Sequence, residues 1–186
     1  MWILYSISGI LLCILLFNLA FGYYSLEQSK KLVEYNKEQK IFTFENQGEG
    51  NKTQNILLVG DSIAAGLGAL DENKSLYYRL GMEFSKNSKV ILENQAVSGN
   101  KVHNVTATKV QRKAYDKIII IASSNDVFRN TPEEKFREDL IELFERYSKL
   151  STQVVLVGPG KVYTTRGSLV WKKPFYYLRG KKYGTI

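Results

Sequence analysis

Three runs of aliphatic residues, 56–59, 90–92 and 118–121, each give way within two residues to small or amide side chains, and this repeated pattern constrains the fold more than any other feature. A short apolar run bounded by turn residues reads as a strand buried on both faces, the kind a parallel sheet uses. A fourth run lies at 153–157, and the stretches between successive runs are long enough to hold crossover helices. The pattern therefore predicts an α/β three-layer sandwich with a mostly parallel sheet. In such sheets ligands bind outside the carboxyl ends of the strands, so the residues that follow each run are the ones to inspect. The first run ends at Gly60-Asp61-Ser62, with Gly66 four residues on. Gly60 and Gly66 permit tight chain reversal around Ser62. Taken alone, Gly-Asp-Ser reads first as a turn capping the next helix, since Asp and Ser are common N-cap residues.

The other two exits change that balance. Asn94-Gln95-Ala96-Val97-Ser98-Gly99-Asn100 follows the second run, and Ala122-Ser123-Ser124-Asn125-Asp126 closes the third. In this order the three segments resemble the SGNH/GDSL hydrolase superfamily, whose first block reads Gly-Asp-Ser, whose second carries a Gly and whose third reads Gly-x-Asn-Asp. The resemblance covers roughly residues 56–160 and implies a flavodoxin-like sheet and hydrolysis of acyl or acetyl esters. It further implies Ser62 as the nucleophile, with an oxyanion hole formed by the Ser62 N–H, the Gly99 N–H and the Asn125 side-chain amide. That assignment is physically coherent, because acyl transfer develops negative charge on a carbonyl oxygen and fixed donors aimed there stabilise it. Gly60, Asp61 and Asp126 are expected to support the loops through local hydrogen bonds. No metal or organic cofactor is implied.

Two departures from the family pattern bear on activity. Ser123 stands where the third block has Gly; this is mild if its φ is negative and costly if the backbone there is left-handed. The family's last block, Asp-x-x-His, occurs nowhere in the 186 residues. The one histidine, His103, is expected to be a partly exposed polar residue, because a base must lie within hydrogen-bond reach of the nucleophile. A serine hydroxyl without an adjacent base is a weak nucleophile, so the chain is expected to be a poor esterase. The expectation drawn from the missing block is a truncated hydrolase. The alternative is a membrane-anchored, non-catalytic acyl-binding or structural module.

The rest of the chain divides into an anchor, a linker, the 55–160 domain and a tail. Residues 2–22 are almost wholly apolar, and the first charged side chain is Glu27. As a helix such a stretch is about 30 Å long, the thickness of the hydrocarbon core, so residues 1–24 are expected to be a transmembrane anchor. A cleaved signal peptide ending at Ala20-Phe21-Gly22 is the competing reading, weakened by the absence of a basic n-region. Lys30, Lys31, Lys37 and Lys40 follow the span, which by the positive-inside rule favours a cytoplasmic domain. Anchored relatives of the superfamily commonly face outside the cell, and an extracytoplasmic domain is the expectation adopted. Cys13, the sole cysteine, lies inside the apolar stretch and excludes an intrachain disulfide. Residues 25–54 read as a polar, helix-compatible segment and a linker, with a short extra strand at 41–44.

Within the domain, Leu76, Tyr77, Leu80 and Phe84 recur at helical spacing and predict a helix over 75–85. Thr131-Pro132-Glu133-Glu134 predicts a helix start with Thr131 as cap, Pro132 in the first position and Glu134 completing a capping box. Phe136, Leu140, Leu143, Phe144 and Tyr147 form its expected buried stripe. Residues 161–186 carry seven basic side chains and no acid, nearly all of the net charge of +8. This basic aromatic tail is expected to lie on an anionic membrane surface or in solvent. Specific nucleic-acid binding is not expected, since no recognised motif accompanies the charge. The expected partners are an ester substrate, small-molecule, carbohydrate or lipid, and the membrane.

Overall fold

The computed structural model describes residues 9–10, 12–24, 27, 42–46, 52–69, 71–161 and 172–184. The four aliphatic runs become strands β2 (Thr53–Gly60), β3 (Lys89–Asn94), β4 (Lys117–Ile121) and β5 (Val154–Val157). They pair in parallel in the order β3-β2-β4-β5. The expected extra strand, β1 (Phe42–Asn46), joins the outer edge of β3 in antiparallel register, with Thr43 opposite Glu93 and Glu45 opposite Ile91. The parallel strands thus follow the order second, first, third, fourth. In a doubly wound sheet of this order the chain reverses direction beside the first strand, and the crevice opens at the carboxyl end of that strand. The first parallel strand is β2, and its carboxyl end leads into Ser62.

Strict alternation along the strands sorts the core into two layers. Ile56, Leu58, Ile119 and Ile121 face one side with Phe44, Tyr77, Val90 and Leu92. Leu57, Val59, Ile118 and Ile120 face the other, with Phe136, Leu143 and Tyr147. Ile56 through Val59 are wholly buried, and each such side chain is worth about 1.5–3 kcal/mol in apolar area removed from water. On the first face lies α1 (Leu76–Phe84), started by Ser75, whose Oγ accepts the Tyr78 N–H. The second face carries α2 (Val102–Thr106), α3 (Ser124–Phe128) and α4 (Glu133–Ser148). A sheet covered on both sides by helices is the expected three-layer sandwich.

The start of α4 differs from expectation. Its N-cap is Pro132, and no side chain caps it. The Thr131 hydroxyl instead donates 2.9 Å to Asp126 Oδ1, a stronger bond because its acceptor is a buried carboxylate. Phe144 is 40% exposed, so it does not belong to the buried stripe. Positions 136, 140, 143 and 147 share one line down the helix, and 144 turns away from it.

The reading of residues 161–186 as a tail fails for residues 172–184. They carry α5 (Lys173–Tyr183), which packs on the domain. The Tyr183 ring is buried and stacks on Phe136 at 4.5 Å, and Tyr176 meets Phe128 edge to face at 5.1 Å. Arg179 Nη2 donates 3.2 Å to the Thr131 carbonyl, and the Tyr183 hydroxyl donates to the same oxygen. Lys182 pairs with Glu133. Aromatic bodies are thus buried while basic heads reach the rim, which residue type alone does not distinguish from a membrane-facing tail.

At the other end, residues 9–10 and 12–24 are helical, with Ile10, Leu12, Phe17 and Leu19 exposed. No helix of the described residues is long and apolar enough to cross a membrane. Residues 1–8 and 11 of the expected anchor lie outside the described residues, as do 25–26, 28–41 and 47–51 of the expected linker.

Candidate active site

Three of the four parallel strands, β2, β3 and β4, each deliver one loop to the same edge of the sheet, and hydrogen bonds join these loops to one another. At the exit of β2, Gly60 takes φ +152°, and a Cβ there would stand 2.0 Å from the Ile121 carbonyl oxygen of β4. Only glycine admits that approach. The Asp61 N–H then donates 2.8 Å to the same Ile121 carbonyl, so the chain stays pinned to β4 as it turns. Ser62 opens a tight coil in which its carbonyl accepts the Leu67 N–H at 2.8 Å. The serine is half-buried. Among the described residues neither its N–H nor its Oγ has a hydrogen-bond partner.

The loop after β3 continues along β2. The Gln95 N–H donates to the Leu58 carbonyl at 2.9 Å and the Val97 N–H to that of Gly60 at 3.1 Å. Asn94 Nδ2 reaches across to the Ala64 carbonyl at 2.9 Å and ties the loop to the Ser62 coil. Gly99 follows with φ +86°, in the left-handed region, and its N–H has no acceptor among the described residues.

At the exit of β4, Ser123 adopts φ +84°. The left-handed alternative is therefore the one realised, at a cost of about 1–2 kcal/mol for a residue with a Cβ. Asn125 Nδ2 donates 2.9 Å to the Asn100 carbonyl, joining this exit to the glycine loop and leaving its second N–H for another acceptor. Asp126 completes the junction: its Oδ2 accepts the Val102 N–H at 3.1 Å and its Oδ1 the Thr131 hydroxyl.

Two carboxylates therefore lie beneath this edge, both fully buried. Burial pushes the Asp61 carboxyl up to about 6; the Ile63 N–H opposes the rise and the nearby Asp126 charge adds to it. Asp61 Oδ2 has no hydrogen-bond partner among the described residues. Burial likewise raises the Asp126 carboxyl, against the lowering effect of its bonds from Thr131 and Val102. Asp61 thus accepts within its own turn, from the Ile63 N–H, and Asp126 ties the start of α2 to Thr131.

His103 is exposed on α2 and makes no hydrogen bond to Ser62 among the described residues. No cluster of three or more His, Cys, Asp or Glu side chains able to hold a metal occurs among the described residues. Beside the Ser62 coil lies a groove of about 510 Å³ whose lining includes Ile63, Leu67, Leu76, Lys74 and Arg79. On the other flank, a Cβ at Gly99 would stand 3.3 Å from Arg129 Nη2, so that guanidinium rests against the glycine. Sequence reasoning missed Asn94 and Arg129. Asn94 closes the second apolar run, and Arg129 lies one helical turn after Asn125, a spacing that puts both on one side of a helix.

Comparison with known proteins agrees with this architecture. The chain matches at TM-score 0.53 the crystal structure of TesA, with 21% identity over 71% of this chain and 72% of that one. It matches at TM-score 0.52 a catalytic mutant of Axe2, an acetylxylan esterase from Geobacillus stearothermophilus, with 16% identity over 76% of this chain and 71% of that one. At such identities the likeness establishes the fold. None of the curated proteins matches the sequence. The model of the GDSL-like Lipase/Acylhydrolase family matches residues 58–179, from the carboxyl end of β2 through most of α5. With that match spanning well over half of the sequence and all three loops of the sheet edge, the chain belongs to the GDSL-like lipase/acylhydrolase family.

Proposed function

We propose that this chain is built for ester hydrolysis through a Ser62 acyl-enzyme, with the Ser62 N–H, the Gly99 N–H and the Asn125 amide receiving the developing oxyanion. The observation that carries this reading is the pair of backbone donors, on Ser62 and Gly99, without acceptors among the described residues in loops otherwise tied together. Unsatisfied donors held rigidly beside a hydroxyl are what a tetrahedral intermediate requires. The substrate is an acyl or acetyl ester, and water is the second acceptor.

A base for Ser62 is a separate matter. His103 makes no hydrogen bond to Ser62 among the described residues, and the sequence holds no second histidine. With an oxyanion site but no base, residual catalysis is about 10^3–10^4-fold over water. The 186-residue chain is therefore expected to hydrolyse p-nitrophenyl acetate hardly better than Ser62→Ala. Grafting a closing strand and helix that carry Asp-x-x-His is expected to restore Ser62-dependent turnover. Robust turnover by the ungrafted chain, abolished by Ser62→Ala, overturns the claim that it lacks a base. The same observation favours a second reading, a module that holds an acyl group without turning it over; Ser62-dependent turnover after grafting rejects it.

We further infer that residues 2–22 anchor the domain in a membrane. The support is the uncharged apolar sequence together with the exposed Ile10, Leu12, Phe17 and Leu19. The full chain is expected to stay with the bilayer through a carbonate wash, since apolar burial is insensitive to salt and pH. Release by salt alone overturns the anchor.

A further inference from the structure

The site just described has a cation beside it that ester hydrolysis as such does not use. Arg129 caps the C-terminal end of α3, and its N–H donates 2.9 Å to the Asn125 carbonyl. This spacing carries its side chain back over the glycine loop, where Nη2 lies 3.3 Å from the Cβ position of Gly99. Among the described residues no carboxylate pairs with this exposed guanidinium. The nearby acids are otherwise engaged: Asp126 is buried and bonded to Val102 and Thr131, and Asp61 is buried and bonded to Ile63. The opposite flank repeats the pattern. In the groove beside Ser62, Lys74 pairs with Asp71 at 2.6 Å and Tyr77 holds Glu72, while the exposed Arg79 guanidinium has no acid partner among the described residues.

We propose that Arg129 makes this an ester site for anionic substrates, its guanidinium binding a carboxylate or similar oxyanion that the substrate carries close to the ester. The proposal rests on the Ser62, Gly99 and Asn125 reading above. A guanidinium presents its donors in a planar fork that matches a two-oxygen anion, and such charge-assisted pairs are the strong ones. Held against a glycine, it occupies space that any side chain at 99 would fill. A charged group bound there lies within a few bonds of a carbonyl resting on the Gly99 N–H. A neutral ester can accept a hydrogen bond from this cation but lacks the charge-assisted, two-oxygen pairing.

Because the chain is expected to turn over slowly, the test reads binding. The full chain in detergent micelles, labelled with 15N, is titrated with four non-activated esters while the Gly99, Asn125 and Arg129 Nε–H signals are followed. Monomethyl succinate carries a charge on the acyl side and O-acetylglycolate on the alcohol side; dimethyl succinate and methyl O-acetylglycolate are their neutral partners. At least one anionic ester is expected to bind about tenfold more tightly than its neutral partner, and which one does so names the side. Arg129→Gln is expected to abolish the preference and Arg129→Lys to keep part of it. Equal affinity for charged and neutral esters, with shifts at Gly99 and Asn125, overturns the proposal and leaves the ester-site reading standing. A preference that survives Arg129→Gln but vanishes in Arg79→Gln overturns the assignment to Arg129. No shift at Gly99 or Asn125 with any of the four overturns the ester-site reading and the proposal together.

Discussion

The chain leaves β2 and β4 by turns that solve one problem in two ways. Both need a residue at positive φ to bring the next side chains over the sheet edge, and they use Gly60 at +152° and Ser123 at +84°. At Gly60 a side chain is excluded by the neighbouring strand, since the Ile121 carbonyl occupies the place of a Cβ. At Ser123 the buried side chain is accommodated, with its Oγ donating to the Ala122 carbonyl, and the backbone bears the strain. A close approach of two backbones is a steric prohibition, whereas a left-handed φ with room for the side chain is a finite energetic cost.

That contrast sets the order of expected effects. Gly60→Ala must displace β4 or the Asp61 turn, and strain with overpacking is expected to cost about 3–5 kcal/mol. Chemical denaturation compared with wild type measures it; a loss below about 1 kcal/mol would show that the β2–β4 contact yields more readily than the geometry implies.

Asp61, the next residue along, gives a pH-dependent effect. Its carboxyl titrates at about 6 in the fold and at 3.8 in its ordinary state. Between these values the folded chain holds a proton that the unfolded chain has lost, so the contribution of Asp61 to stability falls as pH rises through the window. The loss, about 3 kcal/mol, is fully present above pH 6. Asp61→Asn keeps an acceptor for the Ile63 N–H without a charge, and it is expected to remove this slope and to be the more stable form at pH 7. Denaturation midpoints from pH 4 to 7 decide it. Parallel slopes in the two proteins would refute the assignment.

The smallest expected effect falls on the second turn. Ser123→Gly relieves the left-handed strain but loosens the unfolded chain, and a net gain of about 0.5–1 kcal/mol is expected. A loss would mean that the Ser123 hydroxyl bond to Ala122 outweighs the strain.

Much of this site was legible before any coordinates. The block order put Ser62, Gly99 and Asn125 after three strands of one sheet, and hydrogen bonds from Val97 to Gly60 and from Asn125 to Asn100 do join those loops. The sequence also posed the question at Ser123 correctly, but its φ depends on how β4 meets α3 and no local pattern reports it. Thr131 was misread because its residue type suits a cap, while the competing acceptor, Asp126, becomes available only once burial makes that bond the stronger choice. Arg129 was missed for a related reason. Its significance lies in contact with Gly99, thirty residues earlier in the chain.

What the sequence by itself determined are the features with a short period or a local signal: four parallel strands, the helix over 76–84 begun by Ser75, and the family blocks at the strand ends. Side-chain alternation and turn chemistry act within a few residues, so they survive in a linear reading. The tertiary structure alone decided that a basic aromatic segment would bury Tyr183 against Phe136, that two carboxylates would share the ground beneath the site, and that the Arg129 guanidinium would rest on Gly99. Each of these is a balance of desolvation against contacts between residues far apart in the chain, and that balance exists only when the fold has brought them together.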